Sequence, residues 1–345
     1  MAQSDQTPPL AVTMGDPAGI GLDIALATAV RPDAASLPAW VMLADADAVA
    51  ERATKLGLRI EVRRLKTASE AGENDPGIVC VLPVCCAVSV EPGRPNSANA
   101  AATIRSIELA TELVRSGVAS AIVTNPIAKH VLQNAGFPHP GHTEFLGELA
   151  LRYWAVSAAP VMMLAASELK VVPVTVHVAL AKVPALLTAE LIIVTARTTL
   201  AALVADFGIA NPRLAVCGLN PHAGENGLMG SEDEAIIRPS VEVLRAEGHS
   251  VTGPHPADTL FHAAARANYD AALAMYHDQG LIPIKTLAFD TGVNVTLGLP
   301  FVRTSPDHGT AFNIAGAGTA SANSFVAALR LAADMAKRRR SGQVA

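Results

Sequence analysis

The residues best suited to chemistry in this 345-residue chain are histidines that follow short apolar runs. Residues 170–176 lead into His177, 214–217 into Gly218-Leu219-Asn220-Pro221-His222, and 271–275 into Tyr276-His277-Asp278. If the runs are parallel strands, the polar residues just past their carboxyl ends lie where open α/β sheets hold ligands. One βαβ unit or two covers each gap, so the three histidines could converge on one rim. Three neutral imidazoles with an open position form a catalytic divalent-metal centre. No local motif such as H-E-x-x-H supports this, and a single histidine is more often a satisfied structural residue. Spacing alone leaves both readings open.

A second group could hold an anion. Lys285, Asn294 and Arg303 lie close in sequence. Lys offers a point charge and Arg a fork of donors, which suits a doubly charged ligand. Equally, the two cations could be solvated surface groups. Gly141-His142-Thr143-Glu144 opens a helix. It is either an ordinary helix start capped by Thr143 or an anion site with His142 and Thr143 as donors. Two glycine loops come close to a nucleotide motif and miss it. The glycines of Gly15-Asp16-Pro17-Ala18-Gly19-Ile20-Gly21 are spaced G-x-x-x-G-x-G, and Gly316-Ala317-Gly318 has Ser321 where a third glycine is required. Neither supports a conventional Rossmann site, so the cofactor-binding residues stay unassigned.

The elements that must position these groups alternate. Apolar runs predict strands over 10–13, 40–43, 78–82, 121–124, 161–164, 170–176, 214–217, 271–275 and 293–297. Helical patterns lie over 22–30, 45–56, 97–116, 186–207, 232–247 and 321–340. The alternation predicts a mostly parallel α/β fold. In the helix over 97–116, Ala100, Ile104, Ile107, Thr111 and Val114 line one face. Lys337, Arg338, Arg339 and Arg340 suit the negative end of the last helix. Residues 1–8 and 341–345 are expected to fray.

Half of the residues are apolar and 17% charged, ample for a large core. The length suggests two domains of about 150 residues each. With 26 basic and 31 acidic residues the formal charge is −5, which argues against nucleic acid or an anionic membrane as partner. Aromatics at 4% leave few platforms for stacked bases. The four cysteines form no C-x-x-C pair and so no zinc or disulfide framework. The start of the chain lacks the basic and apolar stretches of a signal peptide, and no run is apolar enough to span a bilayer. A cytoplasmic protein is expected.

Taken together, several boxes resemble the 4-hydroxythreonine-4-phosphate dehydrogenase family of vitamin B6 biosynthesis. They are Met14 to Gly21, Gly141-His142-Thr143-Glu144-Phe145, Gly218 to Glu225, Pro256-Ala257-Asp258-Thr259-Leu260-Phe261, Met275-Tyr276-His277-Asp278-Gln279, and the run from Gly292 through Arg303 to Ala311. The resemblance covers nearly the whole chain. It implies a two-domain, non-Rossmann fold similar to isocitrate and isopropylmalate dehydrogenases, with the active-site cleft between the domains. The chain would begin in a first domain (9–140), build a second (141–289) and return to the first (290–340). It implies NAD- or NADP-dependent oxidation of 4-phosphooxy-L-threonine by a homodimer whose subunits share the site. One divalent ion (zinc, magnesium or cobalt) would be held by His177, His222 and His277. Substrate contacts carried over by position are His142, Thr143, Lys285, Asn294 and Arg303, with Lys129, Asp258 and Asp278 as further active-site residues. Two alternatives remain. One is a related dehydrogenase acting on 4-phosphothreonate, 4-phosphoerythronate or an aromatic cis-dihydrodiol. The other is a three-histidine hydrolase that needs no nicotinamide.

Overall fold

A computed structural model of the chain describes residues 7–139 and 141–342; residues 1–6 and 343–345 of the ends expected to fray lie outside them. The described strands are, in chain order, β1 (Leu10–Thr13), β2 (Trp40–Ala44), β3 (Glu61–Arg64), β4 (Ile78–Pro83), β5 (Ile122–Val123), β6 (Val161–Ala165), β7 (Lys170–Thr175), β8 (Arg213–Cys217), β9 (Ser250–His255), β10 (Ala271–Tyr276), β11 (Val293–Leu297) and β12 (Arg303–Pro306). Helices fill most connections, so the fold is α/β. The chain divides into two compact units. The first ends at Pro160 and resumes over Leu299–Lys337; the second covers Val161–Gly298 and the chain from Arg338 onward.

In the first unit the strands run β3-β4-β2-β1-β5-β12, all parallel. β1 and β2 are buried along their whole length, as strands covered on both faces must be. The helix Ala100–Arg115 covers β1 and β2. Its buried side includes Thr103, Ser106, Ile107, Ala110 and Thr111, while Ile104 and Val114 of the expected apolar face are only half-buried. The reason is polar. The Ser106 hydroxyl donates to the Leu43 carbonyl (2.7 Å) and accepts from the Met14 amide (2.9 Å), turning that side of the helix inward.

In the second unit the order is β11-β6-β7-β10-β8-β9. β6 is antiparallel to both β11 and β7, and the rest are parallel. Neither order is that of a dinucleotide-binding sheet. β3, β9 and β12 had no apolar run to announce them. β3 is polar and mostly exposed, β9 contains Gly253 and Pro254, and β12 is Arg-Thr-Ser-Pro yet buried.

The first break falls at 160 rather than 140, so the helix His142–Trp154 belongs to the first unit. Aromatic packing explains this. Phe137 lies edge-on to Phe145 at 5.0 Å, and Trp154 lies 5.0 Å from Phe301. Arg115 Nε also donates to the Tyr153 carbonyl (2.9 Å). The basic end of the last helix, Asn323–Gly342, does more than match a dipole. Arg338 Nη1 donates to the Phe207 carbonyl (2.7 Å), and Arg339 pairs with the buried Asp206.

Candidate active site

The residues expected to carry the chemistry fall in both units. In the second unit the sheet gathers the histidine-bearing loops at one end. β10 lies between β7 and β8, parallel to both, with Tyr276 opposite Thr175 and Leu273 opposite Val216. The three carboxyl ends therefore share a rim. Side chains brace it: the Thr175 hydroxyl donates to the Met275 carbonyl (2.8 Å). Gln279, buried, accepts from the Met275 amide (2.6 Å) and donates to the Gly218 carbonyl (2.7 Å), tying β10 to the start of the His222 loop.

His177 and His277 meet on this rim, with ring centroids 5.6 Å apart. They line a cavity of about 510 Å³ together with Thr175, Leu180, Tyr276 and Asp278. His277 Nδ1 lies 2.7 Å from an Asp278 carboxylate oxygen, and the tautomer that donates to it carries the ring's lone pair on Nε2. His222 is exposed in a different setting. Residues 222–226 all have positive φ (54°, 52°, 79°, 43°, 56°), although only one is glycine. Such backbone persists where its surroundings hold it. The holder is the buried Asp233, whose carboxylate accepts from the amides of Leu219 (2.8 Å) and Asn220 (3.1 Å) and from Asn220 Nδ2 (2.9 Å). A Cβ on Gly218 would lie 2.7 Å from that carboxylate, so the turn needs glycine there.

Two imidazoles on one cavity, one oriented by a carboxylate, suit a divalent ion. Among the described residues, however, no group of three His, Cys, Asp or Glu side chains is placed to hold one, so a single chain brings together two of the three expected ligands. Lys285 lies in the last turn of the helix His277–Ala288, and Asn294 lies on β11 opposite Leu164. Asp258 is exposed in the short helix Ala257–Leu260, and no described contact joins it to the histidine pair.

The first unit holds the other group. Arg303 opens β12 and is buried. Burial lowers its pKa to about 10, so it remains cationic at neutral pH. Its Nε and Nη2 both donate to the Thr124 hydroxyl, at 3.0 and 2.6 Å. His142 begins its helix with Nε2 buried and without a hydrogen-bond partner. Burial, then the positive charges of Arg303 and Lys129, hold its pKa well below the ordinary imidazole value, so the ring is neutral. The helix N-cap is Gly141 with no side-chain cap, so Thr143 sits in the first turn and is not the cap. Lys129 is exposed, but a Cβ on Gly141 would lie 3.2 Å from its Cε. A fixed guanidinium, a second cation and a neutral imidazole can receive anionic oxygens. Thr124, Asp233 and Gln279 had no role assigned from sequence. Gln279 stood inside a quoted box, whereas Thr124 and Asp233 gave no signal of their partners.

A sequence profile of the family described as "Pyridoxal phosphate biosynthetic protein PdxA" matches residues 36–332. A 4-hydroxythreonine-4-phosphate dehydrogenase of Methylorubrum extorquens is 55% identical over 340 residues, covering 98% of this chain and 97% of the relative. Among solved structures, 4-hydroxythreonine-4-phosphate dehydrogenase from Klebsiella pneumoniae matches with a TM-score of 0.86 at 38% identity, over 95% of this chain and 99% of that one. A terephthalate 1,2-cis-dihydrodiol dehydrogenase from Burkholderia xenovorans is more distant, with a TM-score of 0.62 at 28% identity over 95% and 98% of the two chains. By its sequence and by its fold, the chain belongs to the PdxA family of pyridoxal phosphate biosynthetic proteins.

Proposed function

We propose that the chain oxidises the C3 hydroxyl of 4-phosphooxy-L-threonine with NAD or NADP. The product, 2-amino-3-oxo-4-phosphooxybutanoate, is a β-keto acid that loses CO2 to leave 3-amino-2-oxopropyl phosphate. The observation that carries this reading is the 55% identity, over 340 residues, to a dehydrogenase named for that substrate. The buried Arg303 beside a neutral His142 supports it, because a fixed cation with an uncharged donor suits phosphate or carboxylate oxygens.

In this reading His142, Thr143, Lys285, Asn294 and Arg303 bind and orient the substrate. Lys129 adds positive field, and Asp258 faces the same site. His177, His222 and His277 would hold one divalent ion, whether zinc, magnesium or cobalt. When bound, that ion supplies Lewis acidity toward the reacting oxygen. The nicotinamide supplies the hydride acceptor, a role no side chain fills. Asp278 keeps Nε2 of His277 ready as a ligand by accepting from Nδ1. His142 offers a hydrogen bond without adding charge.

The same reading makes the enzyme a cytoplasmic homodimer whose subunits complete the site together. Most exposed large apolar side chains belong to the second unit, Leu228 (81%) and Phe289 (75%) foremost, which supports a covered face there. A second copy would also contribute the metal ligand that one chain does not gather.

The test measures NAD and NADP reduction with 4-phosphooxy-L-threonine, with 4-phosphothreonate and with an aromatic cis-dihydrodiol, each with added zinc, magnesium or cobalt. Faster turnover on either of the last two substrates overturns the assignment. Product formed without any nicotinamide points instead to hydrolysis.

A further inference from the structure

Arg303 is a charged side chain held out of water, and a buried cation requires an acceptor. The strands decide which acceptor it finds. β12 runs parallel to β5 with Arg303 opposite Ile122 and Thr304 opposite Val123, and the Thr124 amide continues the ladder to the Thr304 carbonyl (3.0 Å). Side chains alternate along a strand, so those of 122, 124 and 303 share a face. Arg303 therefore leans forward along the sheet onto the Thr124 hydroxyl, which is itself fully buried. That oxygen accepts from Nε at 3.0 Å and from Nη2 at 2.6 Å. Two donors on one edge of a planar group share one oxygen, which fixes the direction that edge faces and leaves the opposite edge to meet other acceptors.

We propose that Thr124 is a positioning residue for the anionic substrate: its hydroxyl holds the Arg303 guanidinium in the orientation that receives phosphate or carboxylate oxygens. The inference rests on Arg303 being a substrate contact, as in the reading above. Thr124 touches no substrate in this scheme and acts only through Arg303. Any change at 124 should therefore appear as a change in substrate binding, and only while arginine occupies 303.

Steady-state kinetics on the whole enzyme, with 4-phosphooxy-L-threonine and its nicotinamide, test this. Thr124→Val keeps the shape and removes the oxygen. It should raise KM for the phosphorylated substrate roughly tenfold or more, the scale of a lost hydrogen bond to a charged group. KM for the nicotinamide should stay within about twofold. Thr124→Ser retains the oxygen and should retain the wild-type KM. In an Arg303→Lys background, Thr124→Val should have little further effect, because the edge it held is gone. An unchanged KM in Thr124→Val, or equal KM increases in the valine and serine variants, overturns the inference. If the valine variant does not fold, Thr124→Ala replaces it, since the smaller side chain leaves room for water. Equal KM values for alanine and serine then overturn the inference just as directly. An Arg303→Lys enzyme with wild-type KM has a different meaning: it removes Arg303 from the substrate site, and the underlying reading falls first.

Discussion

Gln279 offers the sharpest test of how the second unit holds its rim. Its amide uses both ends: the oxygen accepts from the Met275 amide (2.6 Å) and the nitrogen donates to the Gly218 carbonyl (2.7 Å). Gln279→Met keeps the length and removes both bonds. Each buried backbone group left without a partner costs about 1–3 kcal/mol, so losing two should cost about 2–6 kcal/mol, a large share of a typical stability of about 5–15 kcal/mol. Gln279→Glu separates the two bonds. The new carboxyl still accepts from Met275, but only its protonated form can donate to Gly218. Its folded-state pKa is therefore raised above the ordinary value of about 4.3. The sign follows: this variant keeps its stability below the unfolded pKa and loses it as pH rises through the folded one. The loss grows by about 1.4 kcal/mol for each unit by which the pKa is raised. Urea unfolding of wild type and both variants at about pH 5 and about pH 8 measures this. A methionine penalty under about 1 kcal/mol, or a glutamate penalty equal at both pH values, refutes the strut.

Other perturbations probe different parts of the molecule. His142 has a depressed pKa, so its contribution to stability is present above about pH 6.5 and is lost as pH falls below it, at up to about 1.4 kcal/mol per pH unit. His142→Asn should flatten that acid limb in urea titrations, and an unaltered limb contradicts the burial argument. Arg52 and Asp23 form a buried ion pair, with Arg52 also donating to the carbonyls of Gly19 (2.9 Å) and Pro17 (3.0 Å), and Asp23 accepting from the Gly316 amide (2.6 Å). Arg52→Met strands the carboxylate and should cost about 3–5 kcal/mol, whereas a thermal scan matching wild type would show the pair to be idle. Asp233→Ala frees two backbone donors and should weaken zinc binding, read by calorimetry; unchanged affinity separates the turn from the ligand. If the proposed homodimer forms through the exposed apolar face of the second unit, Phe289→Asp should shift sedimentation from dimer to monomer, and a wild-type chain that already sediments as a monomer removes the shared site.

Much of this was readable before the fold was known. The histidines could be assigned to one rim because each follows an apolar strand, and in a parallel sheet such strands end on the same side. The helix His277–Ala288 was hidden because Gly280 and Pro283 interrupt its pattern. β12 was hidden because its polar side chains are satisfied by distant partners: Arg303 by Thr124, and Thr304 by the Ala328 carbonyl (2.9 Å). Pairings across such separations leave no periodicity. The left-handed turn at His222 was equally silent, since four of its five residues are not glycine and the carboxylate that holds it comes from Asp233. Local propensity thus marked where the chain bears its chemistry, and tertiary contacts set how each group is aimed.

The break in the first unit has a consequence for biosynthesis. Trp40 on β2 packs edge-on against Phe325 (6.1 Å, 88°), and Phe325 is among the largest fully buried side chains. At a translation rate of about 5–20 residues per second, the opening segment, which runs to Pro160 and is nearly half of the chain, waits many seconds for that partner and for β12. The strands of the intervening unit emerge during the wait and need only the closing Arg338 and Arg339 contacts to finish. Neither unit can therefore close until the end of synthesis: the first needs Leu299–Lys337 and the second needs Arg338 and Arg339, so both cores are completed by one terminal stretch of chain.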